Sequence, residues 1–199
     1  AGQCKYEVTV TTPAGEVTLP LSVPAQAGAG NVATAWSALV SLGLAPDVAK
    51  ARAALANFAV EGRFERMRAA GRDWLFDGAH NVAATAFLIE AVRHAYPGRD
   101  LTLVFGCMSD KDAQQMLAMW RPHLKRILCT RALSHRATDL TDLSQVARAA
   151  GIAEVISAPI LSDLPELAVA LTAADTAPLV LVTGSFYLVG DLLAVLSGR

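Results

Sequence analysis

From about residue 66 onward, five short apolar runs, at 73–77, 101–106, 126–130, 153–157 and 179–183, alternate with helix-length segments at about 82–95, 111–121, 140–150, 163–174 and 187–197. That alternation admits few architectures. A strand buried on both faces reads as a continuous apolar run, as in Leu179-Val180-Leu181-Val182, and needs helices above and below its sheet. The pattern predicts an α/β domain over 66–199, with a mostly parallel, Rossmann-like sheet and helices on both faces. Right-handed crossovers then carry the strand ends Asp77, Gly106, Thr130 and Thr183 to one edge, where open α/β sheets hold their ligands.

Residues 1–65 read differently. Tyr6, Val8 and Val10 alternate with Glu7, Thr9 and Thr11, and a Pro13-Ala14-Gly15 turn leads into Glu16-Val17-Thr18-Leu19-Pro20-Leu21, the pattern of a β-hairpin. Residues 24–30 read as a Pro, Ala and Gly loop, with Asn31 capping a helix to about Leu42 and Pro46-Asp47 opening a second through about Asn57. A hairpin and two helices bury too little apolar surface to close a core of their own. The segment is therefore expected to be a partial α+β piece of a larger domain.

Composition narrows the functional classes. The chain is 53% hydrophobic and 18% charged with a formal net charge of −1, which provides no electrostatic footprint for nucleic acid or an anionic membrane surface. Charge or turn residues interrupt every apolar run before the roughly 18 positions of a membrane span, and no basic-then-apolar leader opens the sequence, so a cytoplasmic protein is expected. Cys4, Cys107 and Cys129 are too scattered for a disulfide framework or a C-x-x-C metal site, and no metal ligand set is assigned. Cys107, between a strand and a loop, reads as a small buried hydrophobe rather than a nucleophile. Trp36, Trp74 and Trp120 read as core.

The turn at Asp77-Gly78-Ala79-His80-Asn81 is the most informative stretch for chemistry. An apolar run ends in an acid, a glycine, a histidine and an amide, and the apolar segment Val82 to Val92 follows as a packed helix. Two readings stay open from the residues alone: a substrate-holding turn, or a helix start with Asn81 as its cap. This phrase resembles the D-G-A-H-N signature of the folylpolyglutamate synthase and dihydrofolate synthase family, a branch of the Mur ligases. Three further matches lie in the family's order: Glu61-Gly62-Arg63-Phe64-Glu65, Val104-Phe105-Gly106-Cys107-Met108-Ser109-Asp110-Lys111-Asp112, and Leu181-Val182-Thr183-Gly184-Ser185-Phe186-Tyr187-Leu188-Val189-Gly190.

The resemblance implies an ATP-dependent amide ligase. A carboxylate of folate or dihydropteroate would attack the γ-phosphate of ATP, and the amino group of L-glutamate would displace the phosphate from the resulting acyl phosphate. Such chemistry rests on positioning and charge neutralisation, with Mg²⁺ and cationic side chains rather than a covalent nucleophile. By resemblance Arg63 lies near the phosphates, with Asp77, His80 and Asn81 at the ribose and phosphates, so Arg63 and His80 join Lys111 as the catalytic candidates. Lys111 would pair with a carboxylate of glutamate, with Ser185 and Tyr187 as donors to the same substrate. Each has a plainer alternative: a solvated linker arginine at 63, a charged helix amino terminus at 111, a capping serine at 185 and a core tyrosine at 187. His135 and Arg136 lie on a loop near the same edge, where they could brush substrate.

Nothing in the sequence fits G-x-x-x-x-G-K-[ST]. Family members carry that phosphate-binding loop in an amino-terminal ATPase domain, so the resemblance implies that the chain is the carboxy-terminal part of such a ligase. Residues 1–65 would then be the tail of the central, ATP-binding domain, with the metal ligands mainly in the absent portion, and the isolated chain is expected to be inactive. The chain departs from the family at Gly30 and Thr34, where side chains near the nucleotide are usual, and at Glu61 and Val82, where prolines are usual. A non-catalytic module that keeps the nucleotide or amino-acid pocket is the alternative function.

Overall fold

The computed structural model describes residues 6–12, 15–21, 25–44, 46–56, 58–124, 126–159, 166, 169–170 and 179–198. The chain divides into two compact units, Ala1–Glu61 and Gly62–Arg199. The division falls a few residues before the change of pattern in the sequence, so that Gly62, Arg63 and Phe64 belong with the second unit.

In the first unit, β1 (Tyr6–Thr12) pairs antiparallel with β2 (Gly15–Leu21), placing Val8 opposite Leu19 and Val10 opposite Val17. Strand alternation turns Val10 and Leu19 to one face, where they meet Trp36 in a small core. Helix α1 spans Ala25–Ser41 and α2 Val48–Ala56. The expected loop over 24–30 is therefore helical from Ala25, and Asn31 sits inside α1 rather than capping it. Alanine at 25, 27 and 29 favours helix strongly enough to carry Gly28 and Gly30, and the Thr34 hydroxyl donates to the Gly30 carbonyl at 2.8 Å. Asp47 does cap α2, its Oδ1 accepting from Ala49 N and Lys50 N.

The second unit is built on a six-stranded sheet ordered β3-β4-β8-β5-β6-β7. Its strands are β3 (Glu65–Ala69), β4 (Arg72–Phe76), β5 (Leu101–Phe105), β6 (Arg126–Cys129), β7 (Glu154–Ser157) and β8 (Leu179–Thr183). All neighbouring pairs are parallel except β3 with β4. Edge strand β3 escapes the sequence pattern because its residues, Glu-Arg-Met-Arg-Ala, are mostly charged, a usual guard on an exposed edge. Its hairpin turn uses Ala70 and Gly71, both with positive φ (49° and 74°), in place of the familiar Asn-Gly.

Helices α3 (Val82–Ala95), α4 (Ala113–Trp120) and α5 (Leu140–Ala149) cover one face, packing on Leu75, Leu103, Ile127 and Leu181. Helix α6 (Phe186–Ser197) covers the other through Leu188, Val189, Leu192 and Leu193, against Trp74, Phe76, Val104, Val180 and Val182. The central strands β5 and β8 are buried at every position, which is why they read as unbroken apolar runs. The predicted helix over 163–174 lies outside the described residues, apart from Glu166, Val169 and Ala170. No helix among the described residues is long and apolar enough to cross a membrane.

The carboxyl ends of β4, β8, β5 and β6 form one tightly knit edge. Asp77 N donates to Val182 O, Gly184 N to Ala79 O, Gly106 N to Thr183 O and Thr130 N to Phe105 O. A Cβ at Gly184, whose φ is +102°, would lie 2.7 Å from the Gly106 carbonyl oxygen and 2.8 Å from the Phe105 ring. Gly184→Ala is thus expected to cost about 2–4 kcal/mol through clash and backbone strain. Gly190→Ala, in open space on the exposed side of α6, should gain about 0.5–1 kcal/mol from helix propensity. Urea unfolding of the two variants checks both signs.

Candidate active site

The turn that precedes β3 is shaped by two left-handed residues, Gly62 (φ 68°) and Phe64 (φ 47°), which flank Arg63. A phenylalanine in that conformation costs about 1 kcal/mol or more, and three contacts hold it there. The Phe64 ring is buried, Phe64 N donates to Asp77 Oδ2 at 2.9 Å, and Gly62 N donates to Glu65 Oε2 at 2.7 Å. The other Asp77 oxygen, Oδ1, accepts from Ala79 N at 2.9 Å, and Gly78 N donates to Gly62 O. Asp77 therefore ties the Arg63 turn to the turn after β4. Burial pushes its carboxyl above the ordinary 3.8, against the lowering pull of the two N–H groups and the Arg63 charge.

Across these turns lies Phe186, the first residue of α6. The Arg63 guanidinium carbon is 4.4 Å from the centre of its ring, and the His80 ring is 5.9 Å away, tilted by 52°. His80 Nδ1 is 2.9 Å from the Gly78 carbonyl. Because a carbonyl only accepts, Nδ1 carries the proton and Nε2 is left for a ligand. Arg63 is exposed and His80 half-buried, so a cationic and a titratable group share one aromatic neighbour.

Asn81 caps α3, its Oδ1 accepting from Ala84 N at 2.8 Å. Ser185 caps α6, its Oγ accepting from Tyr187 N at 3.1 Å, and is buried. Tyr187 is 55% exposed and takes no part in the core. Helix α4 starts at Ala113 behind its cap Asp112, so Lys111 stands in the loop before the helix rather than on its first turn. There Lys111 Nζ lies 2.8 Å from Asp110 Oδ2, and Arg136 Nη2 lies 3.1 Å from Asp110 Oδ1. The Lys111 hydrogen bond, with help from Arg136, holds the Asp110 carboxyl below its usual range. Backbone bonds from Ser109 N to Arg136 O and from Thr138 N to Cys107 O keep the two loops side by side. Two cations around one carboxylate leave a net positive charge.

Two clusters thus occupy the sheet edge. Arg63, Asp77 and His80 gather with Phe186 beyond β4, while Lys111 and Arg136 flank Asp110 beyond β5. With β8 between those strands, the two strand ends are about 10 Å apart at the usual strand spacing. Sequence reasoning overlooked Phe186 and Phe64, whose apolar side chains carry no chemical signal, and gave Arg136 only a possible brush with substrate beside His135. Cys107 and Cys129 are buried. Burial pushes the Cys107 thiol up and the Cys129 thiol up to about 12, so neither is a ready thiolate.

The sequence model of the Mur ligase glutamate ligase domain matches residues 62–186, nearly the whole of this edge. The chain belongs to that family. Within the Mur ligases it corresponds to the carboxy-terminal portion of the folylpolyglutamate and dihydrofolate synthases. It is 34% identical over 96 residues to the dihydrofolate synthase/folylpolyglutamate synthase of Mycobacterium tuberculosis, a match covering 48% of this chain and 20% of that protein. Its fold superposes on the M. tuberculosis folylpolyglutamate synthase complexed with ADP and AMPPCP with a TM-score of 0.78 at 26% identity, covering 96% of this chain and 47% of the other. E. coli FolC in complex with DHPP and ADP gives a TM-score of 0.78 at 25% identity, over 94% of this chain and 43% of the other. The chain spans less than half the length of these solved Mur ligases.

Replacing Asp77 by Asn puts an NH₂ group against one of the two N–H donors and is expected to cost about 1–3 kcal/mol. A buried carboxyl with a raised native pKa binds its proton more tightly folded than unfolded. Its contribution is therefore full below 3.8 and declines as pH rises through the raised value. The wild-type advantage over Asp77→Asn should be larger at about pH 4 than at about pH 7 in urea unfolding. An advantage that grows with pH would mean that the two hydrogen bonds outweigh burial.

Proposed function

We propose that the chain is the carboxy-terminal part of an ATP-dependent ligase that joins L-glutamate to a folate or dihydropteroate carboxylate through an acyl phosphate. The observation that carries this reading is the division of the sheet edge into two clusters, Arg63 with His80 and Lys111 with Arg136. Arg63 and His80, on either side of Phe186, suit the phosphates of a nucleotide, and Lys111 with Arg136 suits a carboxylate of the amino acid. A ligase that couples phosphoryl transfer to amide formation needs both, close together and distinct.

The residues fit a nucleoside triphosphate in kind. Arg63 offers a planar set of N–H donors, and the His80 ring lies beside it against the same Phe186. The amino termini of α3 and α6 stand at the same edge and contribute positive dipole ends. ATP, when bound, supplies the phosphoryl group that activates the substrate carboxylate. Asp77 acts here by holding the Arg63 turn, and Asn81 and Ser185 by fixing the helix starts around the site. Among the described residues no three His, Cys, Asp or Glu side chains gather in a way that could hold a metal ion. Mg²⁺ ligands and the phosphate-binding loop are assigned to an amino-terminal ATPase domain, and residues 1–65 to the tail of the central domain.

At the second site, a glutamate carboxylate would meet Lys111 and Arg136, with Asp110 keeping both side chains extended towards the substrate. Tyr187, exposed at the start of α6, is assigned as a further donor. The amine must approach unprotonated to attack the acyl carbon, and a site that binds its carboxylate by fixed charges leaves that nitrogen free.

In the polypeptide that carries this chain, Lys111→Ala and Arg136→Ala are each expected to raise the KM for glutamate about 10–100-fold, as loss of a charge-assisted hydrogen bond predicts. The KM for ATP should stay essentially unchanged. Steady-state kinetics with each substrate varied in turn checks this, and a change confined to the ATP KM would refute the assignment.

A further inference from the structure

We infer that Phe186 is a positioning residue, whose ring carries the Arg63 guanidinium and orients the His80 imidazole, and that Gly78 and Gly62 are glycines because the ring and its helix lie against them. The inference rests on the assignment of Arg63 and His80 to a nucleotide's phosphates.

The aliphatic side chains Leu188, Val189, Leu192 and Leu193 of α6 are buried, whereas Phe186 is 39% exposed and its neighbour Tyr187 55%. Core filling alone does not account for a phenylalanine left at the surface. Its ring covers backbone instead: a Cβ at Gly78 would run into the ring carbons Cδ1, Cε1 and Cζ, and a Cβ at Gly62 would come within 2.9 Å of Val189 and 3.7 Å of the same ring. The Ser185 cap fixes the first turn of α6, so the ring position follows from the backbone.

The outward side of the ring then serves Arg63. At 4.4 Å from the ring centre the guanidinium is well inside the range of a cation–π contact. A guanidinium held over a ring keeps its N–H groups for an acceptor and has already lost much of its rotamer freedom. Asp77, the acid whose charge Arg63 feels, has both oxygens bonded to Phe64 and Ala79 N–H groups and does not draw the guanidinium away. His80 is held from the other direction by its Nδ1 bond to Gly78, and its ring meets Phe186 at a tilt. One apolar side chain thereby sets the directions of two groups that suit the same polyphosphate.

The test measures ADP binding by calorimetry to the polypeptide that carries this chain, for the variants Arg63→Ala, Phe186→Ala, Phe186→Tyr, Gly78→Ala and Gly78→Ala/Phe186→Ala. Phe186→Ala is expected to weaken ADP about tenfold, and Phe186→Tyr, which keeps the ring, to bind like wild type. Gly78→Ala should reproduce the loss by displacing the ring, and the double variant should be no worse than Phe186→Ala alone, because both changes remove the same contact. Wild-type affinity in Phe186→Ala with weak binding in Arg63→Ala overturns the inference and leaves the nucleotide reading standing. Unchanged binding in Arg63→Ala, or no ADP binding by the wild-type polypeptide, refutes the nucleotide reading instead. The positioning claim is then decided by nuclear magnetic resonance. The Arg63 Nε–H and His80 ring C–H resonances should carry ring-current shifts in wild type and Phe186→Tyr that vanish in Phe186→Ala, and unchanged shifts overturn it. Should Phe186→Ala unfold, Phe186→Leu, apolar but without a ring, replaces it in every comparison.

Discussion

The half-buried carboxylate of Asp77 is the joint on which the site depends. It lies at the end of β4, accepts one backbone N–H from Phe64 and another from Ala79, and so joins the turn before β3 to the turn before α3. Without those two acceptors a left-handed phenylalanine and a buried turn would each lose a partner, at about 1–3 kcal/mol apiece. The desolvation that raises the Asp77 pKa measures what the arrangement costs. Arg63 and His80 are aimed by this joint, since they occupy the two turns that it fastens.

The sheet supplies the rest of the rigidity. Strands β5 and β8, buried along their whole length, bring Gly106 and Gly184 so close that a Cβ at either position would strike backbone of the neighbouring turn. Small residues at the strand ends let the connecting loops stack in a single layer, and the helices α3, α4 and α6 all begin from that layer. Catalysis by positioning and charge needs groups held in place rather than groups of unusual reactivity. The raised thiol pKa values of Cys107 and Cys129 agree with a site in which no cysteine acts.

Much of this was legible in the sequence, and the reasons are physical. Continuous apolar runs such as Leu179 to Val182 have few places to go except the centre of a parallel sheet, so β4 to β8 and the helices α3, α4 and α5 could be read to within a residue or two. Strand β3 could not, because a charged edge strand carries no apolar alternation and its Ala70–Gly71 turn lacks the usual asparagine. Helix α1 began earlier than expected because a run of alanines outweighed the glycines among them. At the site, resemblance to the family pointed to Arg63, His80 and Lys111, where residue type alone left plainer readings open. The structure adds what residue type leaves unstated: Asp77 and Asn81 are engaged with backbone N–H groups, Lys111 shares Asp110 with Arg136, and Phe186, chemically silent, lies among the functional groups.

The division of labour along the sheet edge is tested most directly by nuclear magnetic resonance titration of the labelled polypeptide that carries this chain with ADP and with L-glutamate separately, following the Arg63, His80, Lys111 and Arg136 side chains. The account predicts that ADP moves the Arg63 and His80 resonances and leaves Lys111 and Arg136 in place, while glutamate does the reverse. Shifts from both ligands at one cluster, or from ADP at Lys111 and Arg136 alone, would contradict it.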